Sequence, residues 1–252
     1  MISETRHRMI LNVLEREGTV TAQQLAELLH TSISTIRRDL IALDRQGLLL
    51  KVHGGAARKE THLSSAELDM LTKEGMNIEE KRAIARTAAS LIRPDDFVFI
   101  DAGSTTLQLV HALSGKALEA TYVTNGLAHT RALSQMGCSV FVPGGRVKQS
   151  TEAIVGATAL NDLSRYNFTK AFLGVNGISL NRGYTTPGVE ERELKAAVLH
   201  ASEETWFLGD SSKFERVCPA GICAIREAGL ITDRLPDERY RAYTVIKEAE
   251  SE

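Results

Sequence analysis

Three helices are predicted in the first 45 residues, because apolar side chains recur there three or four positions apart. The first helix ends at Gly18, and Thr21 is placed to cap the second. Thr31 and Ser32 are both placed to cap the third, which ends at Gly47. The predicted buried faces carry Met9, Ile10, Val13 and Leu14, then Leu25, Leu28 and Leu29, then Ile33, Ile36, Leu40 and Leu43.

The rest of the chain alternates short apolar runs with helical patterns. Residues 58–75 are polar and lack a strand pattern, which predicts a linker, and a helix follows over 78–93. Strands are predicted over 97–101, 120–124, 139–142, 169–175, 205–209 and 229–232, and helices near 105–113, 127–135, 153–164, 189–200 and 236–243. This alternation is typical of α/β proteins with a mostly parallel sheet. We therefore predict a small N-terminal domain over 1–57 and a larger α/β domain over 76–252.

Composition narrows the class of protein. Of 252 residues, 43% are hydrophobic and 25% charged, as in ordinary globular chains. Apolar runs stay far below the ~20 residues of a membrane-spanning helix, and the first residues lack the apolar stretch of a signal peptide. The three cysteines form no CxxC pair, which disfavours a disulfide framework or a metal site. We expect a cytoplasmic protein with no membrane partner, metal or cofactor.

Charge is unevenly distributed along the chain. The net charge is −2, yet residues 32–59 hold six basic and two acidic side chains, which suggests a polyanionic partner. The third helix is predicted to turn Arg37 and Arg38 outward together with short hydroxyl side chains, as a helix that enters the DNA major groove does. A strand and glycine turn over 48–56 would then form a wing. Spacing alone also fits an ordinary helical hairpin with exposed arginines.

A family of bacterial transcriptional regulators, the DeoR family, has a signature that this chain resembles. The matching segments are SISTIRRDL over 32–40 and HGGA over 53–56. The resemblance implies a winged helix-turn-helix domain that binds double-stranded operator DNA. It also implies that Asp39 pairs with a neighbouring arginine, because a carboxylate repels phosphate. The predicted DNA-binding residues are Thr21, Ser32, Ser34, Thr35, Arg37, Arg38, Lys51 and His53.

Polar side chains follow five predicted strands, at the edge where open α/β sheets bind ligands. The segment 101–106 opens a helix, where backbone N–H groups favour an anion, although such turns often only cap a helix. Arg146 and Lys213 are placed to neutralise a phosphate. Four other side chains are suited to sugar hydroxyls, namely Asp101, Asn125, Asn176 and Asp210.

The resemblance to the DeoR family extends over this half as well and covers roughly residues 3–235. It rests on the motifs DAGSTT, TNG, PGG, GVNG, GYTTP and DSSKF, in that order. It implies a sensor domain that is similar in fold to ribose-5-phosphate isomerase and binds a phosphorylated sugar. The predicted effector-binding residues are Asp101, Gly103, Ser104, Thr105, Thr106, Asn125, Arg146, Asn176, Glu190, Lys195, Asp210 and Lys213.

The function we predict is a repressor of a sugar-utilisation operon that works as a homodimer or homotetramer, since two-fold symmetry doubles the base contacts. Two alternatives stay open. A phosphosugar isomerase could use one of the carboxylates of Glu190, Glu191 and Glu193 as its base. However, residues 171–179 contain no acid, and the isomerases that the chain resembles carry an acidic cluster there. A sensor could also act through a protein partner. The segment 57–93 is the predicted transmitter between the two domains.

Overall fold

The computed structural model describes residues 3–45, 48–52, 54–57 and 75–249. The chain divides into two compact units, residues 1–61 and 62–252. Residues 58–74, nearly all of the predicted linker, lie outside the described residues, as does Gly47, the predicted end of the third helix. None of the described helices is long and apolar enough to cross a membrane.

The N-terminal unit is a winged helix-turn-helix. Three helices pack around one apolar core, in which Ile10, Leu25 and Ile36 are fully buried. A three-stranded antiparallel sheet in the order β1-β3-β2 closes that core. The elements are α1 (Ser3–Glu17), β1 (Thr19–Thr21), α2 (Ala22–Leu28), α3 (Ile33–Arg45), β2 (Leu50–Val52) and β3 (Gly55–Ala57).

The three predicted helices are confirmed, but three of their buried positions are wrong. Met9 is 38% exposed, Leu28 is 57% exposed and Ile33 is 40% exposed. At 100° per residue, the buried residues Ala22, Leu25 and Leu29 of α2 share a stripe from which Leu28 is rotated away. Ile33 is the first residue of its helix. The sequence also missed β1, whose three residues are too few to show a strand pattern.

The C-terminal unit is built on a seven-stranded sheet in which every neighbouring pair is parallel. The predicted α/β fold and all six predicted strands are confirmed, and a seventh strand forms one edge. In sheet order the strands are β15 (Ile246–Glu248), β14 (Gly229–Thr232), β12 (Ser202–Leu208), β9 (Phe168–Gly174), β4 (Phe97–Ile100), β5 (Thr121–Thr124) and β6 (Ser139–Phe141).

Helices cover both faces of this sheet, over two separate apolar cores. Ile84 and Ala88 of one helix pack with Leu109 and Val110 of the next on one face, and Val198 packs on the other. The helices are α4 (Ile78–Ala89), α5 (Ser104–Ala112), α6 (Leu127–Gln135), α7 (Ala157–Leu163) and α8 (Val189–His200). Shorter 3-10 helices span Gly115–Glu119, Ser211–Lys213, Ile225–Glu227 and Glu238–Ala242.

Short antiparallel strands beside the main sheet were not predicted. They are β7 (Arg146–Lys148) and β8 (Ala153–Val155), which form a hairpin, and β10 (Gly177–Ser179), β11 (Gly183–Thr186) and β13 (Ala220–Cys223). Three of the predicted helices also need correction. The helix predicted over 153–164 begins as β8, the one over 78–93 ends at Ala89, and the one over 236–243 is a 3-10 helix.

Candidate functional site

The exposed face of α3 carries the side chains predicted to contact DNA. Ile36, Leu40 and Leu43 are buried, whereas Ser34, Arg37 and Arg38 are exposed and Thr35 is half-buried. The hydroxyl of Ser32 accepts a hydrogen bond from the backbone N–H of Thr35 at 3.2 Å and so caps the helix. The first two turns of α3 therefore present hydroxyls and two guanidinium groups together.

Asp39 lies on the buried side of the same helix, where it ties α3 to α1. Its carboxylate accepts hydrogen bonds from Arg6 at 2.5 and 2.9 Å, and lies 3.0 Å from the His7 ring. The partner arginine is therefore Arg6, which is remote in the sequence, and not a neighbour on α3. Burial opposes the charge, but the hydrogen bonds from Arg6 and His7 hold the pKa of Asp39 below its usual value.

Thr21 forms a capping box at the start of α2. Its hydroxyl accepts from the backbone N–H of Gln24 at 3.1 Å, and the Gln24 side chain accepts from the backbone N–H of Thr21 at 2.9 Å. The turn that follows α2 holds His30 at a φ of 48°, a left-handed conformation uncommon outside glycine and asparagine. Thr21 therefore stabilises the start of α2, and the His30 turn joins α2 to α3.

The wing is the β2–β3 hairpin. Lys51 is exposed on β2, and its backbone N–H donates to Asp44 at 2.9 Å, which joins the wing to α3. Gly54 makes the turn with a φ of 83°. His53, the other predicted wing contact, lies outside the described residues.

A buried ion pair lies at the carboxyl edge of the parallel sheet. Asp101 follows β4, and its carboxylate accepts hydrogen bonds from the Lys195 ammonium of α8 and, at 3.0 Å, from the Gly174 N–H. Asp101 is 3% exposed and Lys195 5% exposed. Burial raises the pKa of Asp101, and the nearby Glu191 carboxylate adds to this, while Lys195 opposes it. A Cβ on Gly174 would contact both partners, so glycine leaves room for the pair.

Glu191 also lies at this edge, although it is not among the predicted effector-binding residues. Its carboxylate accepts a hydrogen bond from Thr151 at 2.8 Å and pairs with Lys148 at 3.3 Å. Burial opposes its charge, but Lys195 and the other two groups hold the pKa of Glu191 below its usual value. The predicted residue, Glu190, is half-buried and pairs with Arg146 at 2.5 Å. Two carboxylates of α8 thus contact the β7–β8 hairpin.

Several predicted effector residues are engaged inside the protein. Asn125 accepts from the Ala102 N–H at 2.9 Å and donates to the Ile154 carbonyl at 3.3 Å, so it links two loops. Thr106 lies 3.1 Å from the Nε2 atom of His129. Burial lowers the pKa of His129 to about 3, so this imidazole is neutral at physiological pH.

The N-terminus of α5 is different, because two hydroxyls there are not engaged by the described residues, although Ser104 is only 7% exposed and Thr105 8%. Within the described parts of the chain, no hydrogen-bond partner is found for the hydroxyls of Ser104 and Thr105. The first backbone N–H groups of an α-helix also lack partners within the helix. Gly103 precedes them with a φ of 155°, close to the extended region.

The remaining predicted residues lie at the same edge but do not contact the Asp101–Lys195 pair. The side-chain oxygen of Asn176 accepts from Thr186 at 3.2 Å. The carboxylate of Asp210 lies 3.6 Å from the Lys213 ammonium. Asp210 also caps the 3-10 helix Ser211–Lys213. A cluster of three or more metal-ligating side chains is not found among the described residues.

Both halves of the chain match known family models. Residues 6–62 match the DeoR-like helix-turn-helix domain, and residues 76–234 match the DeoR C-terminal sensor domain. The uncharacterized HTH-type transcriptional regulator FruR of Bacillus subtilis is 38% identical over 98% of each chain. The lactose phosphotransferase system repressor of Lactococcus lactis is 34% identical, over 86% of this chain and 85% of that protein. A solved ribose 5-phosphate isomerase A from Methanocaldococcus jannaschii aligns over 55% of each chain, with 16% identity and a TM-score of 0.42.

Proposed function

The chain belongs to the DeoR family of transcriptional regulators, and we propose that it represses a sugar-utilisation operon and is controlled by a phosphorylated sugar. It is a regulator and not an enzyme, in keeping with the relatives named above. The winged helix binds the operator, and the α/β unit binds the effector at the carboxyl edge of its sheet.

The exposed face of α3 supports the DNA-binding half of this proposal. Arg37 and Arg38 are exposed, within one turn of the hydroxyls of Ser34 and Thr35. Arginine pairs with guanine edges or phosphates, and hydroxyls pair with either, so this face suits the major groove. Lys51 on the wing adds a cation for the flanking phosphates.

One observation carries the proposal that the α/β unit binds a phosphorylated sugar. The hydroxyls of Ser104 and Thr105 lack partners among the described residues, and they lie at the N-terminus of α5, where unpaired backbone N–H groups attract an anion. Each cation near this edge already has a carboxylate partner, as in Arg146 with Glu190 and Lys195 with Asp101. An incoming phosphate therefore binds the helix terminus and competes with a carboxylate for Arg146. The sugar then lies against the buried polar groups of the sheet edge.

Fluorescence anisotropy with DNA from upstream of the chain's own gene tests the proposal. The titration is repeated with glucose 6-phosphate, fructose 1-phosphate, fructose 6-phosphate and galactose 6-phosphate, each beside its unphosphorylated sugar. We expect operator binding that one phosphosugar weakens and its parent sugar does not. Binding that every compound leaves unchanged would contradict the effector assignment, and an absence of specific binding would contradict the regulator.

Thr105→Glu locates the effector site. A bulky carboxylate at the helix N-terminus repels a phosphate, so we expect this variant to lose the phosphosugar response and to keep operator affinity. Ser134→Glu, an equivalent change at an exposed position of α6, is the control that should respond normally. A Thr105→Glu protein with a full response would place the phosphate elsewhere.

A further inference from the structure

Asn77 has an unusual backbone conformation for its position. It is the N-cap residue of α4, and its φ of 51° and ψ of 46° place it in the left-handed region. Asparagine enters this region more readily than most residues, but at a cost that its surroundings must offset. Its side chain does not cap its own helix. Another contact therefore holds it in place.

That contact is made with the loop that follows β12. The Asn77 amide donates to Asp210 at 3.1 Å and to the Ser212 hydroxyl at 3.3 Å. Asp210 in turn accepts from the backbone N–H of Ser212 at 3.0 Å, and Asp233 accepts from the N–H of Ser211 at 2.6 Å. Asn77 thus supports the 3-10 turn that presents Lys213 at the predicted effector site.

The charge of Asp210 makes this contact sensitive to a ligand. Asp210 is 1% exposed, and its second carboxylate oxygen has no hydrogen-bond partner among the described residues. Of the residues that the structure describes, only Lys213, at 3.6 Å, lies near that oxygen as a counter-ion. A buried carboxylate that loses its counter-ion depends more strongly on its remaining hydrogen-bond donors. A phosphate that draws Lys213 away therefore changes the bonds that Asn77 makes.

Through its position in the chain, Asn77 can transmit such a change to the winged helix. Asn77 precedes α4, the first helix with described bounds after the boundary between the two units at residues 61 and 62. That helix, α4, packs along α5, whose N-terminus is the other part of the proposed effector site. We propose that Asn77 is a positioning residue that couples effector binding to operator affinity through its hydrogen bonds to Asp210 and Ser212. This inference rests on the proposed function.

The Asn77→Gly variant of the full-length chain tests whether Asn77 couples effector binding to operator affinity or only supports the fold. Glycine keeps the left-handed conformation and removes only the side-chain amide. Operator affinity is measured with and without the sugar phosphate to which the wild type responds. We expect about a fivefold or larger shift in the wild type and less than about a twofold shift in the variant. Affinity for the operator alone, and for the sugar phosphate alone, should stay within about threefold, since neither contact surface is changed.

Ser90→Gly, at the opposite end of α4, is the matched control and should keep the full shift. An Asn77→Gly protein with the wild-type shift would overturn the proposal. So would one that loses operator and effector affinity together, because that result describes a purely structural residue.

Hydrogen exchange of the ligand-free proteins tests the contact without an effector. The amides of Ser212 and Lys213 both donate to Asp210, so Asn77→Gly should speed their exchange and Ser90→Gly should not. Unchanged exchange would overturn the inference. A wild-type chain that responds to no sugar phosphate would contradict the proposed function, and the exchange rates alone would then decide whether Asn77 controls this loop.

Discussion

Arg37 and Arg38 are the residues on which operator binding is expected to depend most. Both are exposed in the first half of α3, beside the hydroxyls that line its first turn. Replacing either with alanine should weaken operator binding by about 1–3 kcal/mol if it contacts a base, and should lower the salt slope by about one unit if it contacts a phosphate. Anisotropy titrations at several salt concentrations distinguish the two roles.

Arg45→Ala is the control for these variants, because Arg45 is exposed on the last turn of the same helix. It should change operator affinity little, since recognition helices contact bases mainly through their N-terminal residues. Wild-type affinity in both the Arg37→Ala and Arg38→Ala proteins would show that α3 is not the recognition helix.

Asp39 should make the winged helix sensitive to acid. Its folded-state pKa lies below the unfolded value of about 3.9, so its charge contributes stability above that value and loses it as the pH falls through the folded pKa. Asp39→Asn should therefore lower the free energy of unfolding by about 1–3 kcal/mol near neutral pH. The difference should shrink below about pH 4, as calorimetry across the pH range can show. A difference that is the same at every pH would contradict this assignment.

At the scale of elements, the β7–β8 hairpin and α8 are joined by an ion pair that a ligand can replace. Arg146 and Glu190 are 2.5 Å apart but largely exposed, so their attraction is worth at most about 1 kcal/mol. Glu190→Gln frees Arg146, and we expect it to tighten binding of the responding sugar phosphate about two- to fivefold in calorimetric titrations. Glu193→Gln removes the same charge from an exposed position of α8 and should have no effect. Weaker binding by Glu190→Gln would assign Glu190 to the sugar hydroxyls instead.

The elements that the sequence predicted best are those with an unbroken apolar run. Strands such as β9 are buried on both faces of the sheet, so their composition alone identifies them. The hairpin of β7 and β8 could not be predicted in this way, because each strand has only three residues, which are too few to show a period. Most buried helix positions were predicted correctly. Leu28 was wrongly predicted to be buried, because an apolar residue beside the buried stripe looks the same in sequence.

The candidate site was predicted from its loops, while the pairing of its charges was not. Five strand ends indicated one common edge of the sheet, because parallel strands end together. The choice of Glu190 over Glu191 depended on tertiary packing, yet a signal was present. Glu191, Leu194, Lys195 and Val198 follow the spacing of a buried helix face, which places Glu191 with Lys195. Asn77 has only the weak signal of an N-cap residue.

At the scale of the whole molecule, charge favours local DNA contacts over a general attraction. The chain has a net charge of −2, while residues 32–59 carry six basic and two acidic side chains. Attraction to DNA therefore depends on a few contacts near α3 and the wing. The observed affinity should fall with salt, by about 0.9 in log K per unit of log salt for each phosphate neutralised.

One winged helix reaches few base pairs, so we expect two chains to bind one operator. Helix-turn-helix proteins achieve this with two-fold symmetry and half-sites about one helical turn apart. Light scattering on the complex with an operator duplex should give two chains per duplex, or four chains where two dimers associate. The Arg37→Ala, Arg38→Ala double variant should keep the same mass without DNA, since these exposed side chains serve recognition and not assembly. One chain per duplex at saturation would contradict the dimer, and the specificity would then have to come from more contacts by a single wing and recognition helix.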